Sequence, residues 1–142
     1  MKKEKKERKT DRSFYFVLVF FFKMKKKPEA LREASSSGDL KSVKKYISCG
    51  SDVIDDQSTS GATALILASA NGHLDVISAL ISAKADLRRA DKTGATALFV
   101  AVDHGNRAAV DLLLSAGADA TVSTNDGVTP LIAAAVLGRT DM

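Results

Sequence analysis

The sequence predicts an all-α fold built from stacked repeats, and three observations support this prediction. A Thr-Ala-Leu or Thr-Pro-Leu segment begins at Thr63, Thr96 and Thr129, so it returns every 33 residues. Two series of glycines keep nearly the same interval: Gly61, Gly94 and Gly127 in the first series, and Gly38, Gly72, Gly105 and Gly138 in the second. Short apolar stretches with helical spacing lie between these glycines. A fixed period near 33 residues predicts an array in which each unit packs against its neighbours.

The third unit shows how each repeat forms. The hydroxyl of Thr96 is suited to cap a first helix, which we predict over residues 97–104. Gly105 interrupts the helical pattern, and we predict a second helix over residues 108–116. Gly117 fits the left-handed conformation that often ends a helix. Helices this short are unstable alone, so stacking of the units must stabilise them.

These residues resemble the ankyrin repeat. The resemblance is carried by Gly61-Ala62-Thr63-Ala64-Leu65 with Gly72-His73, Gly94-Ala95-Thr96-Ala97-Leu98 with Gly105, Gly117-Ala118-Asp119, and Gly127-Val128-Thr129-Pro130-Leu131. It implies an all-α ankyrin-repeat solenoid of helix-turn-helix units with hairpin turns and about 3.5 repeats. It also implies a binding scaffold that is not an enzyme.

The predicted array covers residues 28–142. Its units are a capping repeat over 28–60, two repeats over 61–93 and 94–126, and an incomplete repeat over 127–142. The first unit has predicted helices from Pro28 to Ser37 and from Leu40 to Ser48, with the polar outer face that a terminal repeat needs. Its connector to Gly61 is one residue longer than the later connectors, which predicts a loosened first turn.

Several positions depart from the ankyrin pattern of Thr-Pro-Leu-His. The histidine is replaced in all three copies, by Ile66, Phe99 and Ile132. Proline, which favours the first turn of a helix, is present only at Pro130. Lys84 stands where the parallel units have Gly50 and Gly117, so we expect a strained left-handed backbone there. These departures predict repeats that are locally weaker than an ideal array.

The last unit contains an apolar first helix, predicted over residues 131–137, followed by residues 138–142 at the place where a second helix would begin. An apolar core surface would then face solvent. Three interpretations remain open. The chain is a fragment of a longer array, or this end docks a partner or a second copy, or the end frays.

The amino-terminal extension, residues 1–27, differs from the array in charge. It has eleven Lys or Arg and three Asp or Glu, a net charge of +8, whereas residues 28–142 have ten and fourteen, a net charge of −4. The chain's positive charge therefore comes from the extension, and the array is not predicted to bind nucleic acid.

Residues 14–22 of the extension form an apolar run of nine residues between lysine-rich segments. As a helix this run would span about 14 Å, half of a bilayer core of about 30 Å, so it is too short to cross a membrane. A signal peptide would need a small-residue cleavage site, which is missing. An extension without function, membrane association or targeting, nuclear import and burial against the array remain as alternatives.

Residues with catalytic or metal-binding chemistry are few. No phosphate-binding glycine motif is present, and His73 and His104 lie a full repeat apart, which is no zinc-ligand spacing. We expect a structural role between repeats for His73, and partner contact or a solvated surface for His104. Cys49 is the only cysteine, which excludes an intrachain disulfide and predicts an inert surface thiol. No cofactor or metal is predicted, and a reducing compartment favours the cytoplasm, with membrane association and the nucleus as alternatives.

The resemblance implies that the partner-binding residues lie on the turn tips and on the exposed part of each first helix, which together line the concave face. Carried onto this sequence, these positions are Thr59, Ser60, Asn71, Lys92, Thr93, Asp103, His104, Ser123, Asn125 and Asp126. Their mixed polarity fits a protein partner, which the sequence does not identify; it leaves the oligomeric state open too. Two functions are therefore considered: a soluble protein-binding scaffold, and a membrane-associated adaptor anchored by residues 1–27.

Overall fold

The computed structural model of this chain describes residues 28–139. Within them the first six α-helices form three successive pairs, each joined by a short turn, and a seventh helix follows. The helices are α1 (Pro28–Ser37), α2 (Leu40–Ser48), α3 (Ala64–Asn71), α4 (Leu74–Ser82), α5 (Ala97–Asp103), α6 (Arg107–Ser115) and α7 (Pro130–Val136). Between residues 28 and 139 the only β-type pairing is an isolated bridge between Ala90 and Thr96. The predicted all-α fold is confirmed, whereas the predicted extension over 1–27 lies outside the described residues.

The helix boundaries lie at or within one residue of the limits predicted from the sequence. The predicted limits of α1 and α2 agree with the structure residue for residue. In the third unit, α5 ends one residue before the predicted limit because His104 is the capping residue. The second helix, α6, begins one residue earlier than predicted, at Arg107. In the last unit α7 starts at Pro130, because the fixed φ of proline suits the first helical position.

A threonine begins the first helix in each of the last three units. Thr63, Thr96 and Thr129 have extended backbones, and each Oγ1 accepts a hydrogen bond from the N–H three residues later, at 3.2, 3.3 and 3.3 Å respectively. A hydroxyl in this position satisfies one of the N–H groups that lack a partner inside the helix. The cap predicted at Thr96 is therefore confirmed, and it recurs in the neighbouring units.

The core runs through the stack between two layers of helices. The first helices pack in the order α1, α3, α5 and α7, and the second helices in the order α2, α4 and α6. The first-helix layer contains the small residues Ala64, Ala68, Ala97 and Ala101, all of which are at most 2% exposed. Small side chains let neighbouring helices approach closely, and Leu65 and Leu98 fill the space between them.

The first turn is not loosened, so that expectation is wrong. Gly61 donates to the Ser58 carbonyl at 2.8 Å and Ser58 donates to the Ala62 carbonyl at 3.0 Å. The turns over 91–95 and 124–128 have the same two hydrogen bonds. The extra residue lies upstream of Ser58, in a segment that begins with a 3-10 turn, Ser51–Val53. Since both turn bonds are local to residues 58–62, an insertion before them leaves them unchanged.

The expected left-handed backbone at Lys84 is confirmed. Its φ is +69°, and it is the one non-glycine residue with positive φ in the part of the chain that the structure describes. The Lys84 N–H donates to the Ile81 carbonyl at 2.9 Å, as the Gly117 N–H donates to Leu114 at 3.0 Å. The helix end is thus formed in the same way by both residues. The Cβ of lysine makes this conformation unfavourable by about 1–2 kcal/mol.

Replacing Lys84 by glycine should stabilise the protein. We expect Lys84→Gly to raise the free energy of unfolding by about 1 kcal/mol, because the gain from relieved strain exceeds the added entropy of the unfolded glycine. The melting temperature should rise by about 4 °C. The control is Lys45→Gly, which removes an exposed lysine from the helical backbone of α2 and should destabilise by about 1 kcal/mol. An unchanged or lower melting temperature for Lys84→Gly would contradict the inference that the backbone is strained at Lys84.

Candidate functional site

All ten residues predicted to bind a partner are exposed. They lie on the three turns that precede α3, α5 and α7, and at the carboxyl ends of α3 and α5. We call this surface the turn face; it comprises Thr59, Ser60, Asn71, Lys92, Thr93, Asp103, His104, Ser123, Asn125 and Asp126. Its members come from every unit in which the structure describes a turn followed by a first helix.

Backbone hydrogen bonds join each turn to the next. The Lys92 N–H donates to the Ser60 carbonyl at 3.0 Å, and the Asn125 N–H donates to the Thr93 carbonyl at 2.8 Å. The turns approach closely at Gly61, where an added Cβ would lie 2.8 Å from the Lys92 nitrogen. The turn tips therefore lie side by side along the stack, in a spacing that the backbone fixes.

A side-chain hydrogen bond at one recurrent position stabilises each turn. Oxygen atoms of Ser58, Asp91 and Thr124 accept the N–H of the residue four positions later, at 3.1, 3.1 and 3.3 Å. The Asp91 carboxylate also accepts from the backbone N–H and the hydroxyl of Thr93, at 2.8 and 2.6 Å. Sequence reasoning missed these residues. The available signal was a short oxygen-bearing side chain three residues before each glycine of the first series.

Several of the predicted residues, among them Asn71, His104 and Asn125, have side-chain hydrogen bonds within the protein. Asn71 Nδ2 donates to the Ser36 carbonyl at 3.0 Å, and Asn125 Nδ2 donates to the Lys92 carbonyl at 2.7 Å. The His104 Nδ1 lies 3.0 Å from the Val100 carbonyl of the same helix. The two asparagine amides thus connect neighbouring repeats. The charged side chains of the turn face do not connect repeats in this way.

The predicted structural role of His73 is confirmed, and two further residues share it. The His73 Nε2–H donates to the Ser36 carbonyl at 2.9 Å. Asn106 Nδ2 donates to the Ser69 and Ala70 carbonyls, both at 2.8 Å. Arg139 Nη1 donates to the Val102 carbonyl, and to the Asp103 carbonyl at 2.7 Å. We call this set of three residues the capping ladder. Each follows a glycine of the second series, which was the signal that could have revealed Asn106 and Arg139.

A cleft lies on the second helices. A cleft of about 550 Å³ between α2 and α4 is lined by Leu40, Lys44, Ile47, Asp75 and Ala79, among others. None of the ten residues of the turn face lines it. The predicted binding positions therefore form an open surface and not an enclosed pocket.

Local hydrogen bonds lower the pKa values of two aspartates on the described surface. The Ser42 hydroxyl donates to the Asp39 carboxylate at the start of α2 and lowers the pKa of Asp39 below its usual range. The Thr121 hydroxyl lowers the pKa of Asp119 in the same way.

Within residues 28–139 no group of three or more His, Cys, Asp or Glu side chains is placed to hold a metal ion. No helix of this region is long and apolar enough to cross a membrane.

Helix pairs stacked in register and joined by hydrogen-bonded turns define a repeat solenoid, a class that binds its partners along an extended surface. The family model for ankyrin repeats in three copies matches residues 31–124, about two thirds of the chain. The chain therefore belongs to the ankyrin repeat family, whose repeats typically serve as non-enzymatic modules for protein–protein interaction. No curated protein matches it.

Proposed function

We propose that the chain is a cytoplasmic protein-binding scaffold that holds a partner protein on the turn face. The observation that carries this proposal is the ladder of backbone hydrogen bonds between the turns, Lys92 to Ser60 and Asn125 to Thr93. These bonds hold the backbones of the turn tips from three successive units in fixed positions. A surface that is ordered before binding loses little conformational entropy when a partner docks.

The charges of the turn face indicate the chemistry of the partner. Lys92 contributes a positive charge from the repeat over 61–93, and Asp103 and Asp126 contribute negative charges from the repeat over 94–126; all three are exposed. A partner with a mixed polar surface would find complementary groups here, whereas a uniformly charged polymer would not. Three turns give a small footprint, so we expect a modest affinity.

A triple substitution on the turn face tests this proposal. The variant Lys92→Ala/Asp103→Ala/Asp126→Ala should lose the partners that the parent retains from a cell extract, by about tenfold in recovered amount. The matched control, Lys44→Ala/Asp75→Ala/Asp111→Ala, removes the same charges from exposed positions on the second helices. Recovery is measured by quantitative mass spectrometry of the retained proteins.

The control should retain the same partners as the parent. Both variants should also keep the parent melting temperature within about 2 °C, since exposed side chains contribute little to stability. If the two variants lost the partners equally, the turn face would not be the binding surface. Unchanged recovery with the triple variant would contradict the proposal.

A membrane-associated adaptor is the second candidate, and one sequence observation favours it. Residues 1–27 have a net charge of +8 around the apolar run over 14–22, while the rest of the chain has −4. A basic segment with apolar residues would bind a surface of anionic lipids, and the array would then bind the partner.

Vesicle co-sedimentation separates the two candidates. If the adaptor function holds, the full chain sediments with phosphatidylserine-containing vesicles at 0.1 M salt and is released at about 0.5 M salt, because screening weakens the attraction. A chain that begins at Pro28 stays in the supernatant under both conditions. Neutral phosphatidylcholine vesicles serve as the control. Failure of the full chain to sediment with the anionic vesicles would contradict the adaptor function and leave the scaffold proposal standing.

A further inference from the structure

The exposed face of the second helices differs in charge from one unit to the next. Two positions on this face are exposed in all three second helices. The first position holds Lys41, Asp75 and Ala108, and the second holds Lys44, Ser78 and Asp111. At these positions α2 has two positive charges, whereas α4 and α6 have one negative charge each. Because the same positions are exposed in every unit, the exposure of the two lysines does not depend on where the stack begins or ends.

The two lysines of α2 are not neutralised by ion pairs. Neither Lys41 nor Lys44 forms an ion pair with a residue that the structure describes. The Asp39 carboxylate, at the start of α2, instead accepts from the backbone N–H and the hydroxyl of Ser42, at 3.2 and 2.5 Å. Asp75 lines the same cleft as Lys44 without pairing with it. Both ammonium groups are therefore available to an anionic partner.

The first unit is also the unit to which the basic extension is joined. Residues 23–27 contain four lysines and directly precede Pro28, the first residue of α1. Helices α1 and α2 pack together and are joined by residues 38–39 alone, so they run antiparallel. The chain therefore enters α1 beside the carboxyl end of α2, a helix about 14 Å long. The positive charge of residues 1–27 and that of α2 thus belong to the same unit.

We propose that α2 docks the array on a membrane surface of anionic lipids, with Lys41 and Lys44 next to the headgroups. This inference rests on the adaptor function and adds to it a surface of the folded array. A lysine near an anionic bilayer strengthens binding about fivefold, and the effects of neighbouring lysines multiply. Asp75 and Asp111 oppose the same contact along α4 and α6. The charge pattern therefore selects the first unit as the one that touches the lipid.

An anionic membrane fits this chain better than a nucleic acid does. Both would attract the lysines, but only a bilayer has an apolar phase next to its negative charges. The run over 14–22 is apolar for nine residues and lies between lysine-rich segments. Residues 28–142 have a net charge of −4, so a polyanion that wrapped around the array would be repelled. A membrane contacts one face and avoids this cost.

Docking through α2 leaves the turn face open. None of the ten residues of the turn face lies on a second helix. The array would therefore hold lipid on one surface and a protein partner on the other at the same time.

Co-sedimentation of the full chain with phosphatidylserine-containing vesicles tests the proposal. The variant Lys41→Gln/Lys44→Gln should need about tenfold more lipid than the parent for half of the protein to sediment at low salt. The matched control Arg88→Gln/Arg89→Gln removes two exposed positive charges between α4 and α5, and should stay within about twofold of the parent. All four side chains are exposed, so both variants should keep the parent melting temperature within about 2 °C.

Substitution of single aspartates tests which face meets the lipid. Asp75→Asn should strengthen vesicle binding about threefold, because it removes a negative charge beside Lys44. Asp119→Asn, in the exposed segment after α6, removes the same charge from the third unit and should leave the binding unchanged. Equal effects of the two substitutions, or no gain with Asp75→Asn, would contradict contact through α2.

Three further outcomes would overturn the proposal, and they separate it from the adaptor function. If both double variants weaken binding equally, or if Lys41→Gln/Lys44→Gln binds as the parent does, the α2 site is excluded while the adaptor function of residues 1–27 stands. If the parent itself does not sediment, the adaptor function and the α2 site are both contradicted. If the parent binds a short DNA duplex more tightly than the vesicles in fluorescence anisotropy, and the α2 variant loses that binding, the partner of α2 is a nucleic acid.

Discussion

The capping ladder is the interaction on which the alignment of the repeats depends. The last carbonyl groups of an α-helix have no partner within the helix, so they need donors from elsewhere. In this chain the next unit supplies the partner, from His73, Asn106 or Arg139. An imidazole, an amide and a guanidinium share one property here, a hydrogen-bond donor at the same place. The requirement is therefore for donor chemistry and not for one residue type.

The ladder and the turns fix each pair of units at two separate places. At one place, a side chain reaches the carboxyl end of the preceding first helix, where Gly38 and Gly72 make room for His73 and Asn106. At the other, the backbone of one turn bonds to the next. Two such attachments hold the first helices in a single register. The exposed positions of the turn face recur as a consequence of that register.

Not every buried group contributes to stability. The hydroxyls of Ser35 and Ser69 are buried without a hydrogen-bond partner among the described residues. Each such group costs about 1–3 kcal/mol. The corresponding position in the third unit holds the buried Val102, which has no polar group to satisfy. The first two units are therefore weaker at this position than the third.

Features that depend on residues adjacent in the sequence could be predicted, whereas features that depend on contacts between repeats could not. The limits of α1 were predictable because Pro28 and Gly38 bound it in the sequence, and the strain at Lys84 followed from the glycines at parallel positions. All three bonds of the capping ladder join residues 36 or 37 positions apart, so none follows from local sequence. The role of His73 was predictable because the ankyrin pattern commonly has histidine after that glycine, whereas Asn106 and Arg139 depart from the pattern. The resemblance to the ankyrin repeat implied that the ten turn-face residues are exposed, and all ten are. It gave no indication that Asn71 and Asn125 also connect repeats, because those contacts depend on the distance between units.

The central claim is that donor chemistry at the ladder positions holds the repeats together, and Asn106 tests it most directly. Asn106→Asp keeps the size of the side chain but sets a carboxylate against the Ser69 and Ala70 carbonyls, while Asn106→His restores the donor that His73 uses. Aspartate is as favourable as asparagine before a helix, so capping of α6 does not explain a loss. In urea unfolding, we expect Asn106→Asp to lower the free energy of unfolding by about 2 kcal/mol or more, and Asn106→His to recover most of it. Equal stability of the parent and Asn106→Asp, or an equal loss in both variants, would contradict the account.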